Sequence, residues 1–279
     1  LYAYFDFMNL EERFDKYTEY KKINQSSIKV EFRHVYFKYP KSENYILKDC
    51  CFSIENGETV ALVGKNGAGK STIVKLLCKF YEPSMGEILI NGVNIDDIKT
   101  SDYYEILSPT FQDFRLFPFR ISENITGKRS ENINSGERES IIESLKLLEI
   151  YDWVKNTPKS LDTYITTLFD KEGIEPSGGI GQKLALARSM VHGGKFYIMD
   201  EPTSALDPRS EQDIFENMLK ISRGQTSLFI SHRLSSTKYA DRIIVCENGH
   251  IIENGNHQDL MKEDGLYKKM FSSQAELYS

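Results

Sequence analysis

Hydrophobic and polar positions along the chain follow two periods. Over 28–37, "IKVEFRHVYF", apolar residues alternate at Ile28, Val30 and Phe32, the signature of a half-buried strand. "ETVALVG" (58–64) is a continuous apolar run, as a strand covered on both faces reads. It passes through glycines into a pattern that predicts a helix with Ile73, Leu76, Leu77 and Phe80 inward. "GEILING" (86–92) predicts a short strand closing on an Asn-Gly turn. From about 113 to 190 the period becomes helical, with one stripe of Ile141, Ile142, Leu145 and Leu148 and another of Leu186, Ala187, Met190 and Val191. Buried-strand runs return in "KFYIMD" (195–200), "TSLFIS" (226–231) and "RIIVCE" (242–247). Between the first two, a helix is expected with Asp207 as N-cap, Pro208 at the first position, and Ile214, Met218 and Ile221 inward. The pattern is α/β: strands flank a helical insert, after a β-rich start and before a helical tail.

Composition narrows the class. The 279 residues are 40% hydrophobic and 27% charged, enough for a folded core and against wholesale disorder. A net charge of −6 disfavours a nucleic-acid partner, which selects a basic surface. Cys50, Cys51, Cys78 and Cys246 lack metal-motif spacing and are expected to be reduced and mostly buried, as in a cytoplasmic chain. No apolar run is long enough to span a bilayer, and no secretory signal is expected. The chain starts at Leu1 rather than Met, so it is expected to be a piece of something longer. The aromatic-rich opening "LYAYFDFMNL", before charged "EERFDKYTEYKK", fits either an amphipathic helix packed on its own domain or the cytoplasmic end of a membrane helix.

The chemistry lies in three places. Gly64-Lys65-Asn66-Gly67-Ala68-Gly69-Lys70-Ser71 matches the phosphate-binding loop, between a strand and a helix as that motif requires. Its glycines let successive N–H groups face phosphate oxygens, Lys70 brings positive charge to the β- and γ-phosphates, and the Ser71 hydroxyl is a ligand for Mg²⁺. Asp200 and Glu201 end an apolar strand, where ligands sit in a parallel sheet. Asp200 is placed to hold Mg²⁺ through water, and Glu201 to orient or deprotonate an attacking water. Ser177-Gly178-Gly179 opens a helix and so forms a second anion cradle. One triphosphate needs one cradle, so the second is expected to serve another subunit's nucleotide. His232 and Gln112 each follow a strand-like stretch, and Tyr39 could stack on a base; singly, each reads as structural.

In order, Tyr39, "GKNGAGKST", Gln112, "SGG", "IMDEPTSALD" and His232 resemble the ATP-binding domain of ABC transporters over about 28–275. "VYFKYP", "FQDFRLF…ISENI" and "ENGHIIENGNHQDLM" resemble the exporter type, notably bacterial peptide, lipid and multidrug exporters. The resemblance implies a P-loop NTPase, RecA-like core with an antiparallel β subdomain and an inserted helical subdomain at about 113–190, within a domain spanning 28–279. Residues 1–27 would be the end of the last transmembrane helix and a linker, at the cytoplasmic face of the plasma (inner) membrane. Tyr39 would stack on adenine; Gly64, Asn66, Gly67, Ala68, Gly69, Lys70, Ser71 and Thr72 would wrap the triphosphate. Gln112 would touch Mg²⁺ and the water, Glu201 would act on that water, and His232 would contact the γ-phosphate. Ser204 to Asp207 would cross the dimer, while Ser177, Gly178 and Gly179 would meet the nucleotide of the opposite subunit. The implied partners are a second ATP-binding domain, in a homodimer or heterodimer, and a transmembrane domain, with the Phe111, Phe114, Phe117 and Phe119 cluster at its docking site. The alternatives are a soluble ABC ATPase acting on ribosomes or DNA, and a nucleotide-gated subunit of a heterodimeric transporter. One departure stands out. The family's Leu-Ser-Gly-Gly-Gln reads here Pro176-Ser177-Gly178-Gly179-Ile180, which keeps the atoms that face phosphate but loses a polar side chain.

Overall fold

The computed structural model describes residues 19–201, 215–219, 222–231 and 233–276. The first eighteen residues, the helix start at Asp207 and Pro208, the segment Ser204 to Asp207, and His232 lie outside the described residues.

Two sheets carry the chain. Strands β1 (Val30–Phe37), β2 (Leu47–Ile54), β4 (Met85–Ile90) and β5 (Val93–Asn94) form an antiparallel sheet in the order β2-β1-β4-β5. Strands β3 (Thr59–Val63), β6 (Leu107–Thr110), β7 (Phe196–Asp200), β8 (Thr226–Ile230), β9 (Arg242–Glu247) and β10 (His250–Gly255) form a six-stranded sheet in the order β10-β9-β3-β8-β7-β6. All its pairings are parallel except β9 with β10. Asn91 and Gly92, both at positive φ, make the tight turn from β4 to β5 that the Asn-Gly pair predicts.

Side-chain parity along the six-stranded sheet separates two cores. Val60, Leu62, Phe196, Ile198, Leu228 and Ile230 face one core, shared with the antiparallel sheet and with helix α1 (Lys70–Leu77). Their neighbours Ala61, Val63, Tyr197, Met199 and Phe229 face the other. That second core is closed by helices α2 (Thr100–Ile106), α3 (Ile121–Thr126), α4 (Ser135–Leu147), α5 (Tyr151–Lys155), α6 (Gly178–His192), α7 (His257–Lys262) and α8 (Leu266–Glu276) only in part: α2 lends Tyr103 and Ile106 to the first core instead. Ile141, Leu145, Leu148, Leu186 and Ala187 are buried as their periods predict, and Ile142, Met190 and Val191 pack at the margin. Phe80 differs from expectation. Helix α1 ends at Leu77, so Phe80 lies beyond it, 46% exposed, with its ring 5.5 Å from Phe111. Cys50, Cys78 and Cys246 are buried, but Cys51 is exposed.

Candidate functional site

Parallel pairing brings the chemistry to one edge of the six-stranded sheet. Leu62 of β3 and Asp200 of β7 both pair with Ile230 of β8, so the ends of β3 and β7 are level. At about 4.8 Å per strand they lie about 10 Å apart, the span of a phosphate chain and its cation. Parity does the rest. Asp200 continues the series Phe196 and Ile198, so its side chain emerges on the α1 side, where Lys70 and Ser71 begin their helix.

The loop from β3 to α1 is shaped from below. Gly64 has φ 152, and a Cβ there would sit 2.1 Å from the Cys246 carbonyl oxygen of β9. Gly67 and Gly69 also have positive φ, and Gly69 is the left-handed N-cap of α1. The Ala68 carbonyl accepts from the Gly249 amide (3.1 Å) and the Cys246 thiol (3.0 Å), which pins the loop to the β9–β10 turn. Lys65 adds an ion pair to Glu247 at 3.3 Å. The first-turn amides of Lys70, Ser71 and Thr72 have no acceptor within the helix and face the mouth of the loop. Lys65, Asn66 and Gly67 are exposed there, while Gly64, Ala68, Gly69 and Lys70 are buried.

Lys70 is held inside the loop, its ammonium donating to the carbonyls of Gly64 (2.8 Å) and Lys65 (3.1 Å). Burial lowers its pKa, and the charges of Glu201 and Asp200 oppose that shift. Burial raises the Asp200 pKa, which Glu201 raises further, while a hydrogen bond from Ser71 and the charge of Lys70 pull it down. The Oδ1 atom of Asp200 is buried with no hydrogen-bond partner. An orphaned carboxylate oxygen beside a serine hydroxyl is a donor set that suits Mg²⁺, a hard cation with oxygen ligands. Glu201 is also buried, at φ 49, with its amide bonded to the Ile230 carbonyl at 3.1 Å. A non-glycine residue at positive φ on a strand end is a local strain of the kind that accumulates at functional sites.

Tyr39 stands at the flank of the loop. Its hydroxyl shares a hydrogen bond with Thr72 Oγ1 (3.0 Å), and its ring meets Phe37 and Tyr81 edge-on at 5.0 and 5.2 Å. Gln112 is exposed two residues beyond β6, and Thr110 of β6 pairs with Met199, so it leaves from the same sheet edge as Asp200.

Ser177, Gly178 and Gly179 are elsewhere, at the exposed start of α6. Ser177 is the N-cap, its Oγ accepting from the Ile180 amide at 3.4 Å, and Pro176 stands one residue outside the helix. No hydrogen bond among the described residues joins this turn to the phosphate loop. Ile180 packs against the second core, so its apolar side chain has a place within the chain. The Phe cluster divides: Phe114 lies against Gly181 of α6, where an added Cβ would be 3.1 Å from its ring, while Phe117 and Phe119 stack together, half exposed. Arg188 of α6 donates to the carbonyls of Asn124 (2.7 Å) and Arg115 (3.2 Å), tying the segment after Gln112 to the Ser-Gly-Gly helix.

Sequence reasoning misses several parts of this region. A groove of about 730 Å³ runs between β6, α3 and α6, lined by Phe80, Tyr104, Phe111, Thr126, Arg188 and His192. Leu168 and Phe169 are 80% and 68% exposed in the loop before Ser177. An apolar pair within polar "TTLFDKEG" is a signal that periodicity discards. The Cys246 thiol under the phosphate loop has no sequence signal, since its partner is a backbone carbonyl.

Comparison with known proteins matches these features to one family. The family model described as "ABC transporter" matches residues 47–204, more than half of the chain. Relatives from Staphylococcus aureus strains COL and MW2, which carry multidrug export ATP-binding/permease names, are each 39% identical over 246 residues, covering 88% of this chain and 41% of their own length. The chain therefore spans less than half the length of the curated relatives it matches. A solved structure described as a bacterial Atm1-family ABC exporter with ATP bound superposes with a TM-score of 0.87 at 33% identity, covering 98% of this chain and 47% of that one. The fold is that of a P-loop ATP-binding domain, and the chain belongs to the ABC transporter family.

Proposed function

We propose that this chain binds MgATP, dimerises head to tail around two nucleotides and hydrolyses them to power export by a membrane transporter. The observation that carries the reading is the meeting of Lys70, Ser71, Asp200 and Glu201 at the level ends of β3 and β7. Triphosphate takes the place of the Gly64 and Lys65 carbonyls as partner of the Lys70 ammonium, and the first-turn amides of α1 bind its oxygens. Ser71 and Asp200, with Gln112, are the residues that would hold Mg²⁺, which supplies neutralising charge to the β- and γ-phosphate oxygens. Glu201 orients the attacking water and takes a proton from it as the new bond to γ-phosphorus forms and the bridging bond to ADP breaks. Tyr39 stacks on adenine, His232 contacts the γ-phosphate, and Ser177 to Gly179 complete the site of the partner subunit.

The names of the Staphylococcus aureus relatives support export as the coupled work, with the transmembrane domain on the same polypeptide. In this reading residues 1–27 lead from a membrane helix, 28–279 form the ATP-binding domain, and about 113–190 form its helical lobe. The groove between β6, α3 and α6, with Phe80 and Phe111 in its wall, receives the transmembrane partner. Among the described residues no helix is long and apolar enough to cross a membrane.

The test is hydrolysis by wild type and Glu201→Gln in verified dimers. The variant is expected to keep ATP binding and lose at least about a hundredfold in rate, the usual weight of a positioned base. Equal, negligible rates in both would sink the catalytic assignment and leave a nucleotide-gated subunit. Sequence upstream of Leu1 tests the exporter reading: six apolar spans support it, and a soluble domain overturns it.

A further inference from the structure

Away from the nucleotide site, β1 and β2 contain a paired irregularity. Phe32 pairs with Phe52, Val35 with Cys50 and Phe37 with Leu47. Between the first two pairs, Arg33 and His34 oppose Cys51 alone. Between the second two, Lys48 and Asp49 oppose Tyr36 alone. These are two β-bulges of opposite sense, and the strands leave them in the register in which they entered. The core side is unaffected, since Phe32, Val35, Phe37, Leu47, Cys50 and Phe52 all stay buried. What changes is the outer face. His34 (φ 49) and Asp49 (φ 50) are turned out of the normal alternation and toward exposed Cys51. On the neighbouring strand, Gly86 makes room: a Cβ there would be 2.2 Å from the His34 carbonyl oxygen.

The result is a set of three different metal-ligand types within 4.8 Å of one another. His34 Nδ1 is 2.7 Å from Asp49 Oδ1 and 3.6 Å from Cys51 Sγ, and Cys51 Sγ is 3.8 Å from Asp49 Oδ1. Tetrahedral Zn²⁺ bonds imply ligand separations of about 3.5 Å from sulfur to nitrogen or oxygen and about 3.3 Å from nitrogen to oxygen. Both sulfur distances fit that figure within a few tenths. Only the His34–Asp49 pair must open, by roughly 0.6 Å, as its hydrogen bond gives way to two metal bonds. The His34 backbone amide donates to Cys51 Sγ at 3.2 Å, the kind of outer contact that supports a thiolate ligand. Among the described residues no other trio of such side chains comes together.

We propose that His34, Asp49 and Cys51 form a zinc-type site, with water as the fourth ligand, that clamps the double bulge on the strand leading to Tyr39. On binding, the Cys51 S–H proton leaves to solvent as the Zn–S bond forms. The Nδ1 proton that His34 shares with Asp49 is also released to solvent as the metal–nitrogen bond forms, and the ring holds its remaining proton on Nε2. A nitrogen, sulfur and carboxylate set favours zinc-like cations over Mg²⁺, so this site does not duplicate the all-oxygen site at Ser71 and Asp200.

Cobalt(II) is the probe, because a thiolate–cobalt bond produces a charge-transfer absorption that oxygen sites do not. The full 279-residue chain, untagged, reduced and in excess Mg²⁺, is titrated with Co²⁺. Expected are one Co²⁺ per chain, a thiolate charge-transfer band, and its loss when Zn²⁺ is added. Cys51→Ser should abolish the band, and His34→Gln or Asp49→Asn should weaken Co²⁺ binding at least tenfold; all three side chains are exposed, so the core is untouched. A wild-type chain with no band at millimolar Co²⁺, or a band that survives Cys51→Ser, overturns the proposal.

Discussion

The phosphate loop and the Ser177 turn, the two proposed anion cradles of this chain, are built in opposite ways. The phosphate loop sits on buried strands, is pinned to β9 through Ala68 and Cys246, and has Lys70, Asp200 and Glu201 buried around it. The Ser177 turn is an exposed helix start, with Ile180 on the core and no charged side chain among residues 176–181. The loop brings its own countercharge and acid–base groups, while the turn offers a capped serine and glycine amides alone. A turn without charge has nothing with which to run chemistry by itself; in the proposed reading it finishes a site whose charge is elsewhere. This contrast is the physical case for a composite site between two subunits.

The comparison can be broken at either end. The largest effect is expected at Gly64. An alanine Cβ would collide with the Cys246 carbonyl, so Gly64→Ala should cost about 3 kcal/mol of stability, read as a lower urea midpoint, and abolish nucleotide binding. At the other cradle the expected signature differs in kind. Ser177→Ala removes an N-cap worth about 1 kcal/mol, leaves ATP binding to the monomer unchanged, and lowers kcat at least about tenfold. Loss of monomer binding in that variant would mean that the turn serves its own subunit's loop. Ile180→Gln should have the smallest effect. Because Ile180 packs on the chain's own core, restoring the family residue should change the rate by less than about threefold, below 1 kcal/mol in barrier. A large gain in the homodimer would instead identify a degenerate half-site.

How much of this was legible in the sequence depends on the range of the interaction. The phosphate loop, Asp200 and Glu201 are readable because local pattern places each at a strand end, and parity alone assigns Asp200 to the α1 side. Strands at 30–37, 59–63, 85–90, 196–200, 226–230 and 242–247 follow from their apolar periods. Strand β6 lies in the strand-like stretch before Gln112, but β2 and β10 are harder: "LKDCCFSI" breaks alternation at Asp49, and "HIIENG" is exposed at every second place. The bulges of β1 and β2 are invisible for the same reason, since a three-residue step from Phe32 to Val35 resembles noise until its partner strand shows the matching step. The helical period continues on paper past Leu77 and so places Phe80 inward, whereas Lys79, at φ 54, has already turned the chain. The link from Gln112 to α6 through Arg188 joins residues 64 and 73 positions apart, which no local pattern carries.

The central claim is that one chain's loop works with another chain's turn, and complementation tests it directly. Glu201→Gln lacks the group proposed to act on water, and Ser177→Arg blocks the turn; each alone should form an inactive homodimer. Mixed in equal amounts before ATP is added, they should recover roughly a quarter of the wild-type rate, because half of the dimers are mixed and each holds one whole site. Hydrolysis that stays at the level of the separate variants, or Ser177→Arg active by itself, would contradict the account.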